Sequence, residues 1–300
     1  MVIRPIELAD ADQIDAMLHD VRPYNVSPPG LRRRRLEQSL ADPRCAGWVA
    51  ESDGELIGWG TVTPTRFRDA PETFQAGVIV RPEYRRQGIG SALTDLIKEH
   101  LGTQTVRELH AMADTEGVGF AVARGGVAGD VTRLSGVRLD NLPEQPAVPA
   151  GTSIVPLTEL DPQDVHPLFA ATVREIPGFE DGDISYDGFL NSIWDVASGN
   201  SRDLGAAALV DGTVRSVTLV VRDRTSLWTN LTVTSPEYRG RGLSRLVKWF
   251  SLSWAAEHGC TMAYTANSTE NAPMLAVNTW FGYQPAASAT TITWRGDTDL

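Results

Sequence analysis

Cysteine is nearly absent: Cys45 and Cys260 are the only two in the 300-residue chain. Two thiols exclude a disulfide framework and a cysteine-based metal cluster, and the expectation is a pair of reduced thiols in a cytoplasmic protein. Five scattered histidines (His19, His100, His110, His166, His258) show no ligand spacing, so no metal site is expected. No apolar run reaches the roughly 18 residues that a membrane span needs. The opening MVIRPIELADADQ lacks a basic stretch leading into an apolar one, so no secretory signal is expected either. Positive charge is in deficit: the net charge of −11 argues against nucleic-acid or anionic-membrane partners, which need a basic face.

What is present is the composition of a globular protein, long enough for two domains of about 150 residues. An internal repeat supports that division. The segment Val80-Arg81-Pro82-Glu83-Tyr84-Arg85-Arg86-Gln87-Gly88-Ile89-Gly90 returns as Val233-Thr234-Ser235-Pro236-Glu237-Tyr238-Arg239-Gly240-Arg241-Gly242-Leu243-Ser244. An offset of 154 positions separates Arg85 from Arg239 and Gly88 from Gly242. IRPIELADADQIDAML near the start resembles IVPLTELDPQDVHPLF, each a short strand followed by an Asp-led helix start. Asp53-Gly54 and Asp211-Gly212 each sit between apolar runs, the pattern of a two-residue hairpin turn.

Further strands are expected at 74–80 and 227–233, leading into the two motifs, and at 108–112 and 261–265 after them. Between them the apolar period changes to 3.6, with Ile89, Leu93, Leu96, Ile97 and His100 or Leu101 on one helical face, and Leu243, Leu246, Val247, Phe250 and Trp254 on another. Gly102 and Gly259 end the two helices, as a C-terminal cap suggests. The stretch 141–151 carries three prolines and no periodicity, so the boundary falls near 148, giving domains 1–148 and 149–300. Each half reads strand, helices, three strands, helix, strand, helix, strand: an α+β class with a mainly antiparallel mixed sheet flanked by helices.

The repeated turn has a physical use. Glycines let the backbone approach a ligand and adopt φ angles that other residues avoid. The first amides of the following helix lack internal partners and carry the positive end of the helix dipole, which suits a pyrophosphate. Neither the G-x-G-x-x-G of dinucleotide folds nor the G-K-[ST] of nucleotide hydrolases is present.

The two motifs resemble the acyl-CoA pyrophosphate loop of the GNAT superfamily of N-acyltransferases, in two copies spanning nearly the whole chain. The two-copy layout resembles that of the mycothiol synthase family. The resemblance implies acetyl-CoA or another acyl-CoA as co-substrate, no metal, and transfer of an acetyl group to a primary amine of a small molecule. The alternative is a non-catalytic acyl-CoA sensor or scaffold. By the same resemblance Val80, Arg85, Arg86, Gln87, Gly88, Ile89 and Gly90 bind CoA in the first half. Val233, Arg239, Gly240, Arg241, Gly242, Leu243 and Ser244 do so in the second, with Ser244 departing from the usual Gly or Ala.

The run from Tyr264 to Tyr283 also resembles the end of a GNAT domain and places Asn271 near the pantetheine arm. The residues themselves read Asn267 as a helix cap and Met274 as core. The first half has lost these asparagines, so the second half is the expected catalytic one and the first a degenerate half that still binds acyl-CoA. The family's tyrosine acid falls at Asn278 and, in the first half, at Val122. That leaves water, another residue such as Tyr264, or no dedicated acid.

Glu180, Asp181 and Asp183 lie in an acidic stretch that either holds a cationic amine or is a solvated loop. Arg32–Arg35, ahead of the periodic Leu36 and Leu40, read as the exposed face of a helix or as a site for an acidic group. The expected partner is a small-molecule amine, with a monomer or homodimer as the assembly.

Overall fold

Both Asp-Gly pairs turn as their chemistry demands. Asp53 and Gly54 have φ of 53° and 83°, and Asp211 and Gly212 have φ of 50° and 78°, the positive pair that a tight hairpin needs. They join β2 (Ala46–Ser52) to β3 (Glu55–Pro64) and β8 (Ala206–Val210) to β9 (Thr213–Asp223). A computed structural model describes residues 1–65, 72–172, 185–194 and 199–296. Among the described residues no helix is long and apolar enough to cross a membrane.

The contacts divide the chain into two units. Unit 1 comprises Met1–Asn25, Pro29–Thr132 and Ala287–Leu300, and unit 2 comprises Val26–Pro28 and Arg133–Ala286. Unit 1 contains β1 (Val2–Pro5), α1 (Ala11–Val21), α2 (Leu31–Ala41), β2, β3, β4 (Thr73–Val80), α3 (Ile89–Leu101), β5 (Glu108–Asp114) and α4 (Thr115–Val122). β6 (Val127–Arg138) begins in unit 1 and ends in unit 2. Unit 2 continues with β7 (Thr152–Pro156), α5 (Pro162–Thr172), α6 (Tyr186–Phe189), β8, β9, β10 (Ser226–Thr234), α7 (Leu243–Glu257), β11 (Met262–Ser268) and α8 (Ala272–Trp280). The last strand is β12 (Gln284–Arg295).

Unit 1 orders its strands β1-β2-β3-β4-β5-β12, antiparallel except for the parallel pair β4–β5. Unit 2 runs β7-β8-β9-β10-β11 with β6 beside β11, and its parallel pair is β10–β11. The chain order would give each half its own final strand. Instead β12, from the far end of the chain, pairs with β5 from Ala289 opposite Asp114 to Arg295 opposite Glu108. The strand after α4 leads into unit 2, where Leu139 N donates to Thr261 O at 2.9 Å.

Helices cover both faces of each sheet, as strand alternation allows. In unit 1, Ile14, Met17 and Leu18 of α1 cluster with Val49, Leu56 and Ile79. The adjacent Ala50 belongs instead with Ile57, Ile89 and Leu93 under α3. In unit 2, α5 packs Val165, Leu168 and Phe169 on Phe189, Val217 and Leu219, and α7 packs Leu243, Leu246 and Val247 on Ala206 and Ala208.

Both glycines do close their helices, Gly259 left-handed at φ 84° and Gly102 in right-handed geometry at φ −60°. Some local expectations shift. On α2, Leu31 and Leu36 are buried while Leu40 is exposed, because the helix ends at Ala41 before another apolar turn can reach the core. Arg33, Arg34 and Arg35 are exposed, and Arg32 turns back to bond Asp15 at 3.0 Å.

Candidate functional site

In unit 1 the parallel ladder is short. β4 and β5 pair only from Thr73 opposite Glu108 to Gln75 opposite His110, although the strands continue to Val80 and Asp114. Beyond that point they part, and the wedge between them leads to the glycine turn. There Arg86 has φ 62° and Gly88 φ 84°, and a Cβ on Gly88 would meet nothing within 4 Å. The first intrahelical bond of α3 runs from Ala92 N to Gly88 O at 3.0 Å, so the amides of Ile89, Gly90 and Ser91 have no helical acceptor.

A cavity of about 800 Å³ opens here, walled by Val78 and Val80 of β4, by Arg86, Gly88 and Gly90, and by Asp114 and Gly117 across the wedge. Its size is that of a small-molecule cofactor site. Four arginines line it: Arg22, Arg85, Arg86 and Arg124. Arg85 pairs with Glu116, its guanidinium is 4.0 Å from Asp114, and its Nε donates to Val80 O at 3.2 Å. Arg124 donates to Ser91 Oγ at 2.8 Å and lies 3.7 Å from the centre of the Phe120 ring. Asp114 does two jobs, since it also caps α4 by accepting from Gly117 N at 2.8 Å.

Unit 2 repeats the turn closely. Gly240 and Gly242 have φ of 74° and 84°, Leu246 N bonds Gly242 O at 3.0 Å, and Arg239 Nε donates to Thr234 O at 3.2 Å. That last bond is the counterpart of Arg85 to Val80, so the structural equivalent of Val80 is Thr234. Val233 faces the core instead. Thr234 Oγ1 and Ser244 Oγ are 2.8 Å apart, which accounts for a serine where a glycine stands in the first copy. Arg215 and Arg241 each lie over the Tyr238 ring, at 4.6 and 4.7 Å.

Residues 12–123 match the family model described as the acetyltransferase (GNAT) family. A tandem GNAT protein from the clavulanic acid biosynthesis pathway has a similar solved structure, with a TM-score of 0.71 at 23% identity over 98% of each chain. A GCN5-related N-acetyltransferase from Sphaerobacter thermophilus gives a TM-score of 0.72 at 15% identity, covering 98% of this chain and 95% of that one. A GNAT-family acetyltransferase from Colwellia psychrerythraea gives 0.60 at 14% identity over 98% and 100%. At these identities the likeness speaks for the fold. The family match thus covers residues 12–123, and the chain as a whole has a fold like that of these tandem and single-chain acetyltransferase structures. No curated protein sequence matches it significantly.

The second unit differs from the first at the base of its wedge. β10 and β11 pair from Ser226 opposite Met262 to Thr229 opposite Thr265 and then part. At that point the register of β10 on β9 slips between Thr229 and Leu231, leaving Asn230 as a bulge residue. β4 runs through the same stretch, Gln75 to Gly77, without a slip.

The two catalytic candidates have different surroundings. Asn278 is buried, receives Lys248 Nζ at 2.5 Å and donates to Asn267 Oδ1 at 2.6 Å. Tyr264 stands opposite Trp228 in the paired part of the wedge and packs on Gly136, where a Cβ would come within 2.9 Å of its ring. The cap of α8 is Asn271, whose Oδ1 accepts from Met274 N at 3.2 Å, rather than Asn267. Met274 is half-buried.

Lys248 was not singled out from the sequence, although a signal exists. Besides the expected apolar face, α7 has a second face of Lys248, Ser251, Leu252 and Ala255, all buried. Burial pushes the Lys248 amine down to about 7, and its Nζ lies 4.5 Å from the centre of the Tyr283 ring. Glu180, Asp181 and Asp183 lie outside the described residues. No group of three or more His, Cys, Asp or Glu side chains among the described residues is placed to hold a metal.

Proposed function

We propose that the chain is an acetyl-CoA-dependent N-acetyltransferase that acetylates a primary amine of a small molecule. Catalysis resides in the second half (149–300), and the first half (1–148) binds acyl-CoA without turning it over. The observation that carries this reading is the bulge at Asn230 in β10, set where the wedge opens towards the Gly240–Ser244 turn. A bulge takes one residue's backbone groups out of the ladder. At the base of the wedge those groups suit the carbonyl oxygen of a thioester, whose charge grows in the transition state.

The remaining parts have matching roles. The free amides of Leu243, Ser244 and Arg245 take the pyrophosphate, with Arg241 as counter-charge. The wedge between β10 and β11 takes the pantetheine arm. Acyl transfer then needs chiefly the alignment of amine and carbonyl, together with loss of a proton from the amine to water. Asn278, fixed by Lys248 and Asn267, holds the far wall and donates no proton. That same fixed amide favours the second reading, an acyl-CoA-binding protein without turnover.

The test is release of CoA thiol with a panel of small amines, using Gly242→Val and Gly88→Val in the full chain. Either valine must adopt a left-handed φ near 84°. Gly242→Val is expected to abolish amine-dependent release. Gly88→Val is expected to leave turnover intact and lower the CoA count per chain from two to one. Turnover lost with Gly88→Val and kept with Gly242→Val would reverse the assignment of the halves. Tight CoA binding with no release for any amine would favour the second reading.

A further inference from the structure

Behind the large cavity of unit 1 lies a smaller one of about 130 Å³. The two share Arg22, Val78, Asp114, Gly117, Phe120 and Arg124, so they are adjoining compartments. The lining changes along the way. The outer compartment has all four arginines and the free amides; the inner one keeps Arg22, Asp114 and Arg124, adds Lys98, and is otherwise walled mainly by Ile97, Leu109, Ala111, Ala121 and Trp294. Two of its polar groups are committed elsewhere: Thr94 Oγ1 donates to Gly90 O at 2.8 Å, and the Trp294 indole donates to Arg124 O at 2.9 Å.

The space exists because the parting strands carry small residues. Past the last β4–β5 pair come Ala76 and Gly77 on one side and Ala111 and Ala113 on the other. Matched by strand register, Ala76, Gly77, Ala111 and Ala113 correspond to Thr229, Leu231, Thr265 and Asn267 in unit 2, with Asn230 the extra bulge residue. Every one of the four is larger, and three are polar. The two wedges are therefore built for different occupants.

Resting on the reading of unit 1 as an acyl-CoA site, we propose that the inner compartment receives the acyl chain, and that unit 1 selects a straight saturated acyl-CoA of about six carbons over acetyl-CoA. The volume is close to that of a dry apolar cavity of about 150 Å³ that admits benzene, with its six carbons. An acetyl methyl would leave most of it empty. Each methylene moved from water into such a space tightens binding roughly fourfold.

The experiment is calorimetric titration of the full chain with free CoA, acetyl-CoA and hexanoyl-CoA, with native mass spectrometry counting molecules per chain. Hexanoyl-CoA is expected to bind one site at least about tenfold more tightly than acetyl-CoA. Ala111→Leu should bring hexanoyl-CoA to the level of acetyl-CoA while free CoA binds as before. Ala76→Leu, from the facing strand, should do the same and stands in if the first variant folds poorly. Equal affinity for the two thioesters, or a preference that survives both variants, overturns the proposal. If Arg86→Glu leaves the number of bound CoA molecules unchanged, the cradle itself is misassigned and the proposal falls with it.

Discussion

Lys248 Nζ donates to Asn278 Oδ1 at 2.5 Å, and both side chains are buried. No carboxylate is bonded to the amine among the described residues, and its pKa falls from 10.5 to about 7 because burial disfavours its charge. The sign of the consequence follows. Between about pH 7 and 10.5 the unfolded chain holds a proton that the folded one has released, so stability rises with pH across that window. Below about 7 both forms are protonated and the contribution is flat. Urea unfolding at pH 7.5, 8.5 and 9.5 should show a rise approaching 1.4 kcal/mol per pH unit from this group. Lys248→Met should abolish that rise, and a slope unchanged in the variant would mean that the amine stays charged in the fold.

Arg86 sits at φ 62° in the unit 1 cradle, where a glycine would be unstrained. Arg86→Gly relieves roughly 1–2 kcal/mol of backbone strain. The more flexible unfolded chain takes back about 0.5–1 kcal/mol. Net stability should therefore rise by between about 0 and 1.5 kcal/mol, while affinity for CoA at this site drops roughly tenfold through loss of one charged phosphate contact. Thermal unfolding and titration calorimetry on the same variant separate the two effects. A large loss of stability would show that the side chain serves the fold and not a ligand.

The pairing of β5 with β12 makes unit 1 depend on a strand far along the sequence. Removing residues 284–300 should expose the β5 edge, so that hydrogen exchange at 108–114 accelerates strongly. CoA binding at the unit 1 turn should weaken with it, because Asp114 ends β5 and caps α4. If the truncated chain keeps β5 protected, the pairing contributes little in solution.

The parts of this structure that were legible in the sequence are those that local chemistry dictates. Asp-Gly enforces its hairpins, and the glycine turns place helix starts at Ile89 and Leu243 as the repeat indicates. What was not legible depends on distant partners. Nothing within β5 states that its neighbour lies near residue 290, and a sequential reading gives each half its own last strand. The pairing of Val80 with Thr234 rests on a hydrogen bond from the following arginine, whereas matching valine to valine moves it by one residue. Lys248 is hidden by habit, since a lone lysine in an amphipathic helix is ordinarily solvated. The Asn230 bulge is a contest between neighbouring strands that β10 alone does not record.

The Thr293 hydroxyl meets His110 Nδ1 at 3.2 Å across 183 residues of chain. At about 5–20 residues per second, a ribosome needs roughly ten to forty seconds to travel from one to the other. During that interval β5 waits with an open edge, which closes only when β12 has been made. A strand made late thus completes a sheet begun much earlier, and a message cut short between the two leaves the earlier unit unfinished.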